Sequence, residues 1–271
     1  MDAVTICRPR ARLQQGGGGP RLGASFASYL VTTVEMLWLA KCQGLDGYVL
    51  MDAGNSPIPY YDDPSGQANM WDWFFEQPFT SNRPQATWHY ATPWVEQLYR
   101  RHDRQPMPPD FTKRVLRFKP EVVNRAEMLL AEHGLAGGYV AVSHRGTDRI
   151  FDGTVITPIE RYWEVLDPLR ERKLMVIPEE DFVLRALRAR YPDCVHPACF
   201  YCTPDGHREM VDWTSPKTGR ERGFDVALML YLFVKADVLV RNVANLSALA
   251  ARMRTSQTWQ VWPGRPPTKE N

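Results

Sequence analysis

Tyr139-Val140-Ala141-Val142-Ser143-His144-Arg145-Gly146-Thr147-Asp148-Arg149 decides how this 271-residue chain is read. Its first residues are apolar without alternation, the pattern of a strand covered on both faces in a parallel sheet. The run passes straight into a charged, glycine-containing loop. Ligands of open parallel sheets bind at the carboxyl ends of the strands. A guanidinium placed there, at Arg145, can grip two phosphate oxygens at once. Gly146 permits close backbone approach, and Thr147 adds a hydroxyl. Such a group suits a departing diphosphate, on which negative charge develops. An Arg–Asp ion pair bracing the loop is the alternative reading.

Working outward, the downstream chain alternates strand and helix. Ile159 to Arg170 reads as a helix, Leu174 to Ile177 as a strand, and Pro178-Glu179-Glu180-Asp181 opens a helix running to Arg190. Cys194 to Cys202 could be a further strand. Phe224 to Val234 is an apolar helix, Val238 to Val240 a strand, and Asn245 to Met253 a helix. This rhythm implies a parallel sheet with helices on its faces. Upstream, Ala3 to Arg8 reads as a strand, Phe26 to Cys42 as a helix and Tyr48 to Met51 as a buried strand. Between the first two lies Gln15-Gly16-Gly17-Gly18-Gly19-Pro20, which no helix or strand interior tolerates. The opening is therefore a βαβ unit with a glycine loop on the ligand side, unless it is a loose N-terminal segment. A helix is expected from about Trp88 to Arg101, and another from Lys119-Pro120-Glu121 to about His133. The expected division is an acceptor-binding lobe over 1–130, a donor-binding lobe over 131–262, and a disordered, proline-rich tail over 263–271.

Composition narrows the function. Hydrophobic residues make up 44% and charged residues 24%, an ordinary globular balance. A formal charge of +2 gives no case for nucleic acid as a partner. No apolar run reaches the roughly 18 residues of a membrane-spanning helix, and the N-terminus lacks a signal-type apolar core. A cytoplasmic location follows as the default, and an odd cysteine count of five fits a reducing compartment. Cys194, His196, Cys199, Cys202 and His207 contain a Cys-x-x-Cys spacing, but no separate second pair follows, so incidental cysteines are the preferred reading over zinc. A P-loop is absent, and Gly16 to Gly19 lacks full dinucleotide-binding spacing.

Lys119-Pro120-Glu121, the strand into Arg145-Gly146-Thr147-Asp148-Arg149, and Thr157-Pro158-Ile159-Glu160-Arg161-Tyr162 together resemble the fucosyltransferase superfamily. That superfamily includes α1,6-fucosyltransferases, nodulation fucosyltransferases and protein O-fucosyltransferases. Phe224-Asp225 through Lys235 to Arg241, followed by Asn245-Leu246-Ser247, is similar to the family's last nucleotide-binding strand and helix. Tyr60-Tyr61 and the segment Asn69 to Pro78 are similar to further family patterns. The resemblance spans about 15 to 255, in patches.

The resemblance implies an α/β protein of GT-B-like form, with two Rossmann-type lobes whose parallel sheets face a central cleft. It implies an inverting, metal-independent glycosyltransferase with no permanently bound cofactor. The donor would be a nucleotide-sugar, GDP-fucose or a related one, and the acceptor a glycan or small hydroxylated molecule. Arg145 would contact the donor β-phosphate, braced by Thr147 and Asp148. Asn245 and Ser247 would lie near the phosphates with Arg241, and Gly17 and Gly18 would let the first loop approach. Asp225 is the acid nearest to the family's guanine reader, whose place falls on Met229. The Trp-rich segment 69–94 would bind acceptor. Asp152 is the first candidate for the acceptor's base, with Asp52 and Glu76 as alternatives. Departures from the family pattern fall at Ser143, where a histidine is usual, at Asn242-Val243-Ala244 in place of a hydroxyl-rich turn, and at Ile177-Pro178-Glu179-Glu180. A donor-binding protein without catalysis and an unrelated phosphate-handling Rossmann enzyme are the alternatives.

Overall fold

The computed structural model describes residues 3–7, 25–53, 60–80, 82–85, 87–89, 106–146, 157–204 and 216–270. The chain forms two compact units, Met1–Glu121 with Lys217–Ala227, and Val122–Pro216 with Leu228–Asn271. The expected division at 130/131 thus differs from the observed one in two ways. The chain changes unit earlier, and a later segment returns to the first unit.

The first unit holds a parallel three-stranded sheet of order β2-β1-β3, built from β1 (Ala3–Cys7), β2 (Asp46–Leu50) and β3 (Thr87–His89). Helix α1 (Phe26–Cys42) crosses from β1 to β2, as the apolar pattern predicts, and its first turn is capped by the Ser25 hydroxyl accepting from Ser28 N–H at 3.3 Å. Phe26, Leu30, Val34 and Leu37 are buried with Val4, Ile6 and Val49. Gly47 leaves room for this packing, since a Cβ there would overlap the Leu37 side chain and force it to shift. The glycine run 16–19 lies outside the described residues. Thr87–His89 is a strand, not the start of the expected helix.

The segment after β2 seals that strand's open edge. Gln77 accepts from Val49 N–H at 2.9 Å and donates to Val49 O at 3.0 Å. Asn69 accepts from Met51 N–H at 2.8 Å and donates to Val49 O at 2.8 Å. Both amides also donate to the Asp72 carboxylate, Asn69 at 3.0 Å and Gln77 at 2.7 Å. Between them, α2 (Trp71–Phe74) buries Trp71 completely, its indole N–H donating to Glu76 O at 3.0 Å. Two further helices follow, α3 (Phe111–Val115) and α4 (Pro120–Glu132).

The second unit holds a five-stranded sheet of order β5-β4-β6-β7-β8. Its strands are β4 (Val140–His144), β5 (Leu174–Pro178), β6 (Val238–Arg241), β7 (Gln257–Gln260) and β8 (Thr268–Glu270), all parallel except β8, which runs antiparallel to β7. Every residue of β4, β5 and β6 is buried, in keeping with the apolar runs Val140–Val142, Leu174–Ile177 and Val238–Val240. Helices α5 (Glu160–Leu166), α6 (Asp181–Arg190), α7 (Gly219–Lys235) and α8 (Asn245–Met253) connect the strands. Val142, Val176 and Val240 pack with Tyr162, Leu166, Val183 and Leu187 in one core. Two expectations are corrected. Cys194 to Cys202 makes only the isolated bridge Met175↔Val195, and no strand. Thr268–Glu270, expected in a disordered tail, is a strand.

The first turns of α7 belong to the first unit for reasons visible in their contacts. Arg220 N–H donates to Asp62 at 2.9 Å, and a Cβ at Gly223 would come within 2.7 Å of the Phe74 ring. Among the described residues, no helix is long and apolar enough to cross a membrane.

Candidate functional site

β4 is an interior strand, flanked by β5 and β6, and Arg145 directly follows its carboxyl end, so it stands on the sheet's carboxyl edge. The backbone ladder between β4 and β6 ends at the pair Ser143↔Arg241. Beyond it, the side-chain amide of Asn242 takes over. Arg145 N–H donates to Asn242 Oδ1 at 3.3 Å, and Asn242 Nδ2 donates to Arg145 O at 2.6 Å. The Arg145 side chain is 13% exposed, with Nε 3.5 Å from Glu179 Oε1.

On the other flank, His144 ties three segments together. Its Nδ1 lies 2.9 Å from Glu180 Oε2, and its Nε2 lies 3.0 Å from Thr157 O. A carbonyl only accepts, so the ring donates from Nε2. The contact ties Thr157 to the end of β4. Glu179 N–H donates to His144 O at 3.1 Å, joining the tips of β4 and β5. Beneath, Tyr162 donates its hydroxyl to Ser143 O at 2.9 Å. Complete burial pushes that phenol well above its ordinary range, and the nearby Glu180 carboxylate adds to the effect.

The expected site residues meet different fates. Arg145 stands at the strand end as expected. Asn245 is exposed at the first position of α8, where helix N–H groups lack intrahelical partners. Ser247 is fully buried and its hydroxyl donates to Ala244 O at 3.3 Å. Arg241 is held within its own sheet. Its Nη2 donates to Glu270 Oε1 and Oε2 at 2.8 and 3.0 Å and to Gln260 Oε1 at 2.9 Å. Its Nε donates to Glu270 Oε2 at 3.2 Å. In this structure the fork is engaged by a carboxylate, so Arg241 braces β6 against β8. Asp225 belongs to the first unit and pairs with Lys217 at 2.5 Å, outside the unit that carries Arg145. Gly17, Gly18, Thr147, Asp148 and Asp152 lie outside the described residues. Of the alternative bases, Glu76 is ion-paired with Arg117 at 3.4 Å.

In the Trp-rich segment, Trp71 is core, whereas Trp73 stacks on Tyr61 with centroids 5.6 Å apart. Among the described residues, no group of three or more His, Cys, Asp or Glu is arranged for a metal ion. His196 instead faces two carbonyls, Val176 O at 2.9 Å and Phe200 O at 3.1 Å. Burial pushes the Cys202 thiol up to about 12.

Three residues important to this geometry, Asn242, Glu180 and Glu270, were not singled out as site residues by sequence. Asn242 has a readable signal, since an Asn directly after a buried strand can act as a peptide mimic. Glu270 has none, because its partner lies 29 residues away across another strand.

No protein-family model matches the chain, and no curated protein matches it. Solved structures do. The α1,6-fucosyltransferase NodZ soaked with GDP-fucose aligns with a TM-score of 0.60 at 14% identity, over 100% of this chain and 99% of that one. NodZ from Bradyrhizobium aligns at 0.57 and 13%, over 100% and 99%. A mutant FUT1 of Arabidopsis thaliana in complex with GDP aligns at 0.51 and 7%, over 98% and 72%. The chain has the GT-B fold of these fucosyltransferases, in keeping with the motif resemblance.

Proposed function

We propose that the chain is a glycosyltransferase that moves a fucose-like sugar from a GDP-linked donor to a hydroxyl of a glycan or other acceptor. The observation that carries the reading is Arg145, presented at the end of an interior parallel strand by a backbone clamp, in a fold shared along its whole length with a fucosyltransferase soaked with GDP-fucose. The donor belongs to the second unit and the acceptor to the first.

In the proposed reaction the bond between the sugar's anomeric carbon and the β-phosphate oxygen breaks, its electrons passing to the diphosphate. The acceptor oxygen bonds to the opposite face of that carbon, inverting it. Its proton goes to a base, with Asp152 the candidate. Arg145 would neutralise the growing charge on the leaving diphosphate, aided by the N–H groups at the start of α8. Thr147 and Asp148 would brace the loop, and Gly17 and Gly18 would approach the donor. A cationic clamp of this kind supports catalysis without a metal, so transfer should persist in EDTA. A reducing, cytoplasmic setting belongs to the same proposal and is supported by the odd count of five cysteines.

A thermal-shift screen against GDP, UDP, dTDP and their sugars tests this. Stabilisation by GDP and GDP-fucose, and its loss in Arg145→Ala, is expected. Preference for a different nucleotide would overturn the donor. A second reading, a donor-binding protein without catalysis, draws on the buried Ser247 hydroxyl and on Met229 at the family's guanine-reading position. Consumption of GDP-fucose by the purified protein would exclude it.

A further inference from the structure

We infer that Glu270, Arg241 and Asn242 form a positioning relay through which the last strand of the second unit sets the aim of Arg145. The inference rests on the proposed donor site and adds residues that touch no substrate.

The relay begins where backbone pairing stops. A primary amide offers one donor side and one acceptor side, as a peptide group does. Asn242 uses both on the N–H and the carbonyl of one residue, Arg145. Fixing both groups fixes the Cα from which the guanidinium projects. Asn242 is 3% exposed, so water is poorly placed to substitute for it.

Asn242 is held in turn. Its own carbonyl accepts from Arg241 Nη1 at 3.3 Å. Arg241 is itself buried, and a buried guanidinium demands a counter-charge and filled donors. Glu270 supplies the charge through both carboxylate oxygens, and Gln260 fills a further donor. Glu270 is carried on β8, whose register pairs it with Thr258 of β7. The order of dependence is therefore β8, Glu270, Arg241, Asn242, Arg145. Removing the carboxylate charge leaves Arg241 under-compensated. It would then turn toward solvent, releasing the Asn242 carbonyl and loosening the clamp.

The test compares wild type with Glu270→Gln, Asn242→Ala and the control Lys269→Ala. Two readouts are used, amide hydrogen exchange by NMR and GDP binding by calorimetry. In Glu270→Gln the Arg145 amide should exchange about tenfold faster, while amides of Val140 to Val142 keep their wild-type rates. The GDP dissociation constant should rise about tenfold. Glu270→Asp, which keeps the charge, should recover part of both effects, and Lys269→Ala should change neither. An unchanged Arg145 amide in Glu270→Gln overturns the relay, as does equal acceleration along all of β4, which would mark a merely structural strand. Asn242→Ala should likewise speed exchange of the Arg145 amide, and where that variant does not fold Glu270→Gln decides the matter alone. If wild type binds no nucleoside diphosphate, the donor reading falls, while the exchange data still decide whether Glu270 holds Arg145.

Discussion

Replacing Arg145 with Lys separates charge from geometry at the proposed phosphate site. Arg145 is held through its backbone by Asn242, and that clamp is independent of the side chain. Lys keeps the positive charge beside Glu179, whose contact with Arg145 is 3.5 Å. Stability should therefore change by less than about 1 kcal/mol. What Lys lacks is the planar fork that meets two oxygens together. One charge-assisted hydrogen bond contributes about 1.5–3 kcal/mol. At about 1.4 kcal/mol per factor of ten, GDP affinity should fall roughly 10- to 150-fold. Transfer should fall further than binding, because the diphosphate gains charge as the sugar departs, and loss of one such donor costs about 10²–10³ in turnover. Calorimetry with GDP, urea unfolding and a GDP-fucose turnover assay give the three numbers. A Lys variant with wild-type affinity and turnover would refute the bidentate reasoning. One with a large stability loss would show that the side chain is structural.

Tyr162→Phe should destabilise the second unit by about 1–2 kcal/mol, seen as a lower urea midpoint, because a fully buried hydroxyl bond to Ser143 O is lost; a change below roughly 0.5 kcal/mol would refute that assignment. Gly138→Ala should cost about 1–3 kcal/mol, since its φ of 113° disfavours a side chain and a Cβ would meet the Asp237 carboxylate, whereas Gly137→Ala, with open space around it, should be silent. Burial depresses the His196 pKa below its ordinary 6.5, so the unfolded chain takes up the proton first as pH falls. The stability advantage of the neutral ring is present above about pH 6.5 and is lost as pH drops through the lower folded value. His196→Gln should flatten the urea midpoint between pH 7.5 and 5.5, and an unaltered profile would show that His196 does not control it. Cys202, with its thiol raised to about 12, should resist alkylation at pH 8 in folded protein and react once urea is added.

Much of the second unit was legible because three of its strands are buried along their whole length. β4, β5 and β6 fall where apolar runs of Val, Ile and Leu place them, and α8 runs from Asn245 to Met253 as read. What eluded the sequence depends on long-range partners. Arg241 sits at the expected strand end, yet its direction is set by Glu270, and a polar, proline-rich stretch gave no hint that Thr268–Glu270 pairs with β7. Lys217–Ala227 continues without a break into an apolar helix, so periodicity could not report that Gly223 packs on Phe74 in the first unit. At Asn242 the comparison with a hydroxyl-rich turn registered lost hydroxyls. The structure shows a gained amide.

The two amides bordering β2 also bear on how the molecule behaves in company. An outer strand with open N–H and carbonyl groups is a template on which another chain can pair. Here Gln77 and Asn69 occupy the outward groups of Val49 and Met51, and Asp72 fixes both amides in place. The segment Asn69 to Gln77 thus acts as a false final strand, too irregular to be extended by a neighbour. It closes the β2 edge of the sheet to pairing with another strand.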